Sequence, residues 1–148
     1  MIPPTSDPNS ALVLRRMFTA PRGRVFRAWI EPEALEAWLR PKGMSMTVRR
    51  LEACVGGSFC FDLENGSSIV GIYLDITPPE KLVFTWSGAA TQDRETIVTL
   101  NFFDQGPVTE VVLTHERIGS PELRALFGSG WPSMFDALAS VLSSLLDF

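Results

Sequence analysis

The sequence predicts an α+β fold: one antiparallel sheet, curved around a single long helix close to the C-terminus. Three observations predict it. The stretch Gly130 to Leu146, GWPSMFDALASVLSSLL, repeats apolar residues at spacings of three and four, namely Trp131, Met134, Phe135, Leu138, Val141, Leu142, Leu145 and Leu146. Between residues 46 and 116 the chain breaks into short alternating runs separated by turn signals, the pattern of antiparallel strands. Before them come one further strand-like run and two short helical segments bounded by prolines.

The long helix carries small or polar residues opposite its apolar stripe: Ser133, Asp136, Ala137, Ser140, Ser143 and Ser144. Pro132 suits a first helical turn, where the missing N–H costs nothing, and Ser129 is the expected N-cap. Each large side chain buried contributes about 1.5–3 kcal/mol, so the stripe needs a broad surface to dock on.

Taken in order, residues 1–9 hold three prolines and few apolar groups and read as a mobile tail, with a single domain over 10–148. Ala11 to Phe18 forms the first strand, with Leu12, Leu14 and Phe18 in phase. Pro21 opens a helix carrying Val25, Phe26 and Trp29, and Pro32 ends it by disfavouring helical geometry at Glu31. A second short helix, Pro32 to Leu39, presents Leu35, Trp38 and Leu39, and Pro41-Lys42-Gly43 closes it. Met46 to Val55, Ser58 to Leu63, Ile69 to Ile76, Leu82 to Ser87, Arg94 to Phe103 and Val108 to Glu116 then read as strands. Gly56-Gly57 and Asn65-Gly66 supply tight hairpin turns. Ser120-Pro121 starts a helical turn to Phe127, which Gly128-Ser129-Gly130 interrupts before the long helix.

A net charge of −4 and a pI near 5.0 argue against a nucleic-acid surface. The doublets Arg15–Arg16 and Arg49–Arg50 lie within strand-like runs and read as solvated or ion-paired. Cys54 and Cys60 give neither a disulfide framework nor metal-ligand spacing, and read as buried or half-buried free thiols in a reducing compartment. No signal segment or transmembrane span is present in the sequence, so a cytoplasmic protein without membrane or nucleic-acid partners is expected.

The segments APRGRVFRAWIEPEALEAWL, VGGSFCF, GIYLDITPPEKLVFTW, VTEVVLTHE and GWPSMFDALASVLSSLL, in that order and spacing, resemble the proteins similar to the C-terminal domain of the Hsp90 ATPase activator. Those belong to the START-like (Bet v 1-like, polyketide cyclase-like) superfamily. The resemblance spans Leu12 to Leu146 and implies a helix-grip fold, a seven-stranded antiparallel sheet curled around the last helix. It further implies a cavity between sheet and helix, lined from alternate strand positions and the long helix. Carried onto this chain, that nominates Trp38, Phe59, Phe61, Tyr73, Phe84, Trp86, His115, Trp131, Met134, Phe135 and Leu138 as ligand-binding residues. The chain departs from the family pattern at Leu39, where many relatives carry a second Trp, at Cys54-Val55, and in having one His. These changes make the expected pocket more apolar.

Candidates for chemistry are few. His115 lies in phase with Val111 and Leu113 and reads either as a base or ligand-orienting donor, or as a satisfied, half-buried histidine. Asp75 shares a face with Tyr73 and Gly71 and reads either as an inward acid or as a solvated residue at an edge, whereas Asp62 opposes the Phe59/Phe61 face. No phosphate loop, nucleophile elbow or metal-ligand cluster is present, and no cofactor or metal is expected. Three functions follow in order: a binder of a small hydrophobic or amphipathic molecule, with no catalytic residue; a module linked to an Hsp90-type chaperone; and a cyclase- or hydrolase-like enzyme using His115, Asp75 or Tyr73. The second rests on the resemblance alone, and the activator's separate Hsp90-binding domain has no counterpart in these residues.

Overall fold

The computed structural model describes residues 11–144. The predicted tail and the last two leucines of the predicted stripe, Leu145 and Leu146, lie outside them. Seven strands form one sheet: β1 (Leu12–Phe18), β2 (Met46–Leu51), β3 (Ser58–Leu63), β4 (Ser68–Thr77), β5 (Lys81–Gly88), β6 (Thr96–Gln105) and β7 (Val108–Glu116). Their order is β1-β7-β6-β5-β4-β3-β2, with every pairing antiparallel. Two short helices, α1 (Arg22–Arg27) and α2 (Pro32–Trp38), follow β1, and α3 (Pro121–Ser144) closes the chain against the sheet. This is the expected α+β helix-grip architecture.

The long helix starts earlier than the sequence suggests. Instead of stopping at Gly128-Ser129-Gly130, α3 runs through them and holds Pro132 in its interior. The cap is Ser120, whose Oγ accepts the Leu123 backbone N–H at 3.1 Å, with Pro121 in the first turn. Ser129 instead donates its hydroxyl to the Leu126 carbonyl at 3.1 Å. Two interior glycines cost about 1 kcal/mol each relative to alanine. Extending the buried stripe one turn back from Trp131 to Phe127, which is 6% exposed, offsets that cost. Gly128, whose carbonyl loses its helical partner to Pro132, lies on the exposed face where water can reach it.

The loop between β2 and β3 also differs from expectation. β2 ends at Leu51, and residues 52–57 fold into a longer turn rather than a two-residue hairpin. The glycines pair with β4: Gly56 N–H donates to the Tyr73 carbonyl at 2.8 Å, and Tyr73 N–H to the Gly57 carbonyl at 2.9 Å. A Cβ on Gly57 would stand 2.2 Å from the Glu52 carbonyl oxygen, so only glycine closes this turn. Cys54 consequently sits exposed on the turn, not buried or half-buried as expected, while Cys60 is half-buried and both thiols are free. The basic doublets are partly ion-paired: Arg16 meets Asp136 across β1 and α3, and Arg49 holds Asp62 through two nitrogens at 2.8 Å.

The core divides into two aromatic groups. Trp29, Trp38, Trp131, Phe135 and Phe18 interlock where α1, α2 and α3 meet. Phe59, Phe61, Tyr73, Phe84 and Trp86 cover the inner face of β3, β4 and β5. Trp38 satisfies its indole N–H on the Ala28 carbonyl at 2.9 Å, and the Glu36 carboxylate accepts the Val48 N–H at 2.8 Å, tying α2 to edge strand β2. Gly71 makes the second group possible. An added Cβ would lie 2.1 Å from the Thr85 carbonyl oxygen and 2.3 Å from the Phe59 ring. Gly71→Ala is therefore expected to cost about 2–3 kcal/mol through forced displacement of packed neighbours. Urea unfolding measures it, and a loss below about 0.5 kcal/mol would mean that the Thr85 backbone and the Phe59 ring both yield freely.

Candidate functional site

The sheet does not meet the helix uniformly. Towards the α2 end, large rings fill the interior, and the space left among Trp29, Leu35, Phe59, Phe61, Tyr73 and Phe84 amounts to about 10 Å³. Towards the other end, a cavity of about 370 Å³ opens. Its floor is Ile69 on β4 and Trp86 on β5, and its helical wall is Leu126, Phe127, Gly130 and Met134 on α3. Met44, beyond the 3-10 turn Pro41–Gly43, and Leu63 close one side. Small residues at the end of β5 and in the turn after it, Gly88, Ala89, Ala90 and Thr91, close the other. These small residues, with Gly130, leave the room that the rings deny further in.

The rim carries the polar groups Lys42, Asn65, Ser67, Ser68 and Thr91. Most of their hydrogen-bonding capacity is used locally. Asn65 Oδ1 accepts both the Ser67 N–H at 3.0 Å and the Ser67 hydroxyl at 2.6 Å. The Ser68 hydroxyl donates to Asp62 at 2.8 Å. Thr91 Oγ1 accepts the Gly88 N–H and donates to the Gly88 carbonyl, both at 3.1 Å, which folds the loop back over the cavity.

Of the residues nominated from the sequence, Trp86 and Met134 stand in the cavity wall. Phe59, Phe61, Tyr73 and Phe84 surround the small residual space instead, with Trp86 between the two regions. Trp38, His115, Trp131, Phe135 and Leu138 are fully buried in the core behind them. The structure adds Leu126, Phe127 and Gly130: the sequence reading placed Leu126 and Phe127 in a separate helical turn and Gly130 at the break that opens the long helix, so none of them was assigned to the cavity wall. Phe127 stands four residues before Trp131, so helical spacing alone could have found it. Ile69 was also legible, because it alternates with Gly71 and Tyr73 on the inner face of β4.

His115 occupies the centre of a closed hydrogen-bond chain. Trp131 Nε1–H donates to His115 Nδ1 at 3.1 Å, and His115 Nε2 lies 2.8 Å from Thr96 Oγ1. Thr96 sends its own proton to the Trp86 carbonyl at 2.6 Å, so its oxygen accepts from His115. That order places the proton on Nε2 of a neutral imidazole. The ring is 0% exposed, and desolvation pushes its pKa down to about 4. Phe127 lies edge-on to the imidazole at 4.6 Å and separates it from the cavity. Burial likewise raises the Tyr73 hydroxyl well above its ordinary pKa. Asp75 is half-buried beyond a register shift between Tyr73 and Asp75 and accepts the Thr77 hydroxyl at 2.8 Å, away from the cavity. Asp62 faces the opposite side of the sheet, as expected, and the Arg49 hydrogen bond holds its carboxyl below the usual carboxylate range.

Among the described residues, no three His, Cys, Asp or Glu side chains are grouped to hold a metal ion, and no helix is long and apolar enough to cross a membrane. Solved structures share this fold. Protein CV1439 from Chromobacterium violaceum matches with a TM-score of 0.77 and 26% identity, over 89% of this chain and 96% of its own. Protein MLL2253 from Mesorhizobium loti matches with a TM-score of 0.78 and 22% identity, over 90% and 97%. CalU16 from Micromonospora echinospora matches with a TM-score of 0.70 and 23% identity, over 92% and 78%. No functionally curated protein matches significantly. The family model for activator of Hsp90 ATPase homolog 1-like protein matches residues 19–143, from the end of β1 almost to the end of α3, and the chain belongs to that family.

Proposed function

We propose that this protein binds a small, largely apolar molecule between the sheet and the first half of α3, without catalysing its conversion. The cavity of about 370 Å³ carries the reading, because its walls are Met44, Leu63, Ile69, Trp86, Phe127 and Met134. It lies at the lower end of the range of about 300–1,000 Å³ in which small-molecule sites fall. At about 30 Å³ per water of liquid volume, it holds a ligand of about a dozen non-hydrogen atoms. Binding is favoured over catalysis because His115, the obvious base, has both ring nitrogens engaged and stands behind Phe127. The exposed free thiol of Cys54 supports a reducing, cytoplasmic setting.

Gly130 provides the test. It lines the cavity, and a Cβ placed on it meets nothing within 4 Å. Gly130→Leu is expected to stabilise the unliganded fold by about 1 kcal/mol, through helix propensity, while filling the space a ligand would use. Native mass spectrometry of wild type should show a copurified or added apolar compound such as decan-1-ol, and the variant should show none. A variant that bound as well as wild type would remove the cavity from the mechanism.

A further inference from the structure

We propose that the ligand is an amphipathic anion, its carboxylate-type head group held at the cavity mouth by Lys42 and Asn65 while its apolar body lies against Trp86, Ile69 and Met134. This rests on the cavity-binding reading above and specifies the chemical class of its ligand.

The argument is one of donor and acceptor balance at the rim. Among the described residues, no Asp or Glu lines the cavity, and Lys42 is the only charged residue that does. The hydroxyls of Ser67, Ser68 and Thr91 are committed as donors to Asn65, Asp62 and Gly88. Asn65 Oδ1 is fixed as an acceptor by the Ser67 backbone N–H, which leaves its Nδ2 as a pair of donors unused among the described residues. Lys42 has no ion-pair or hydrogen-bond partner for its ammonium among the described residues. Its backbone is held at φ 53, within a turn closed by Gly43 N–H on the Arg40 carbonyl and Met44 N–H on the Pro41 carbonyl. The mouth therefore offers one cation and one amide donor, with no carboxylate in its lining among the described residues. A head group that only accepts hydrogen bonds and carries negative charge satisfies both, whereas a cationic one would meet Lys42 unshielded.

Decanoate and decan-1-ol, each of about the size estimated above, separate head group from tail. Trp86 in the wall gives a fluorescence signal for either. Lys42→Met is expected to weaken decanoate about fivefold at low salt and to change decan-1-ol less than twofold. Lys42→Arg should retain decanoate affinity. Asn65→Asp, which keeps the turn acceptor but adds a carboxylate, should weaken decanoate by a similar factor. Added salt should weaken decanoate on wild type and leave decan-1-ol unchanged. If both ligands bind but Lys42→Met affects them equally, the head-group assignment is overturned and the apolar cavity stands. If neither ligand binds wild type, the cavity-binding reading falls and takes this assignment with it.

Discussion

Acidification from pH 7 to pH 4 is expected to remove about 3 kcal/mol of folding stability through His115 alone. The ring has a pKa of about 4 when folded, against an ordinary value of 6.5, because burial disfavours the imidazolium. The sign follows from proton counting. Between those values the unfolded chain binds a proton that the folded chain refuses, so stability falls as pH falls. The contribution is complete above pH 6.5, declines from there to about 4, and is level below. At about 1.4 kcal/mol per unit, the separation of the two values gives the quoted magnitude. Protonation at Nδ1 would also set a new N–H against the Trp131 indole N–H that now donates to it.

Urea unfolding of wild type and His115→Gln at pH 7, 5.5 and 4 checks this. Glutamine does not titrate, so the variant should start lower at pH 7 and lose less on acidification, and the two curves should converge. Parallel curves would show that the imidazole titrates alike in both states. The carboxylates do not confuse the window. Asp62 is held down by Arg49 and Glu52 by the Ser58 hydrogen bonds, so their contributions are lost only at the acid end, and equally in both proteins.

Trp131→Ala is expected to cost about 4 kcal/mol, in the range for deleting a large aromatic from a core. Its ring packs against Trp86 at 5.3 Å, Trp29 at 6.2 Å and Phe135 at 6.3 Å, so it joins the two aromatic groups, and it is 0% exposed. Trp131→Phe separates packing from hydrogen bonding. It keeps most of the volume but leaves His115 Nδ1 without a donor, at a cost of about 1–2 kcal/mol. Equilibrium unfolding of both variants at pH 7 gives the comparison. Equal losses would mean that the indole N–H, not the ring, holds this junction together.

Much of the architecture was legible because strands and helices impose periods of their own. Leu12, Leu14 and Phe18 alternate, as do Phe59 and Phe61, and the seven strands fall close to where those periods place them. The errors share one cause. Gly128-Ser129-Gly130 and Gly56-Gly57 are local signals for a break and a tight turn, and tertiary contacts overruled both: burial of Phe127 carried α3 through the first, and pairing with Tyr73 drew the second into the sheet.

The site was less legible than the fold. Periodicity identified which side chains point inward, and the family resemblance, carried onto alternate strand positions and the long helix, named Trp86 and Met134 without a structure. Whether an inward side chain lines open space or fills it depends on its neighbours in three dimensions. Phe59, Phe61, Tyr73 and Phe84 meet ring against ring and exclude almost all volume, whereas Gly88, Ala89, Ala90 and Gly130, distant in sequence, converge on one end and leave room. The order of elements, the inward faces and the helix that the sheet grips followed from the sequence by itself, because they depend on local period and turn chemistry. The place of the cavity, the locking of His115 between Trp131 and Thr96 and the unshared charge of Lys42 were decided only by the tertiary structure, because each depends on the summed volumes and hydrogen-bond partners of residues brought together by folding.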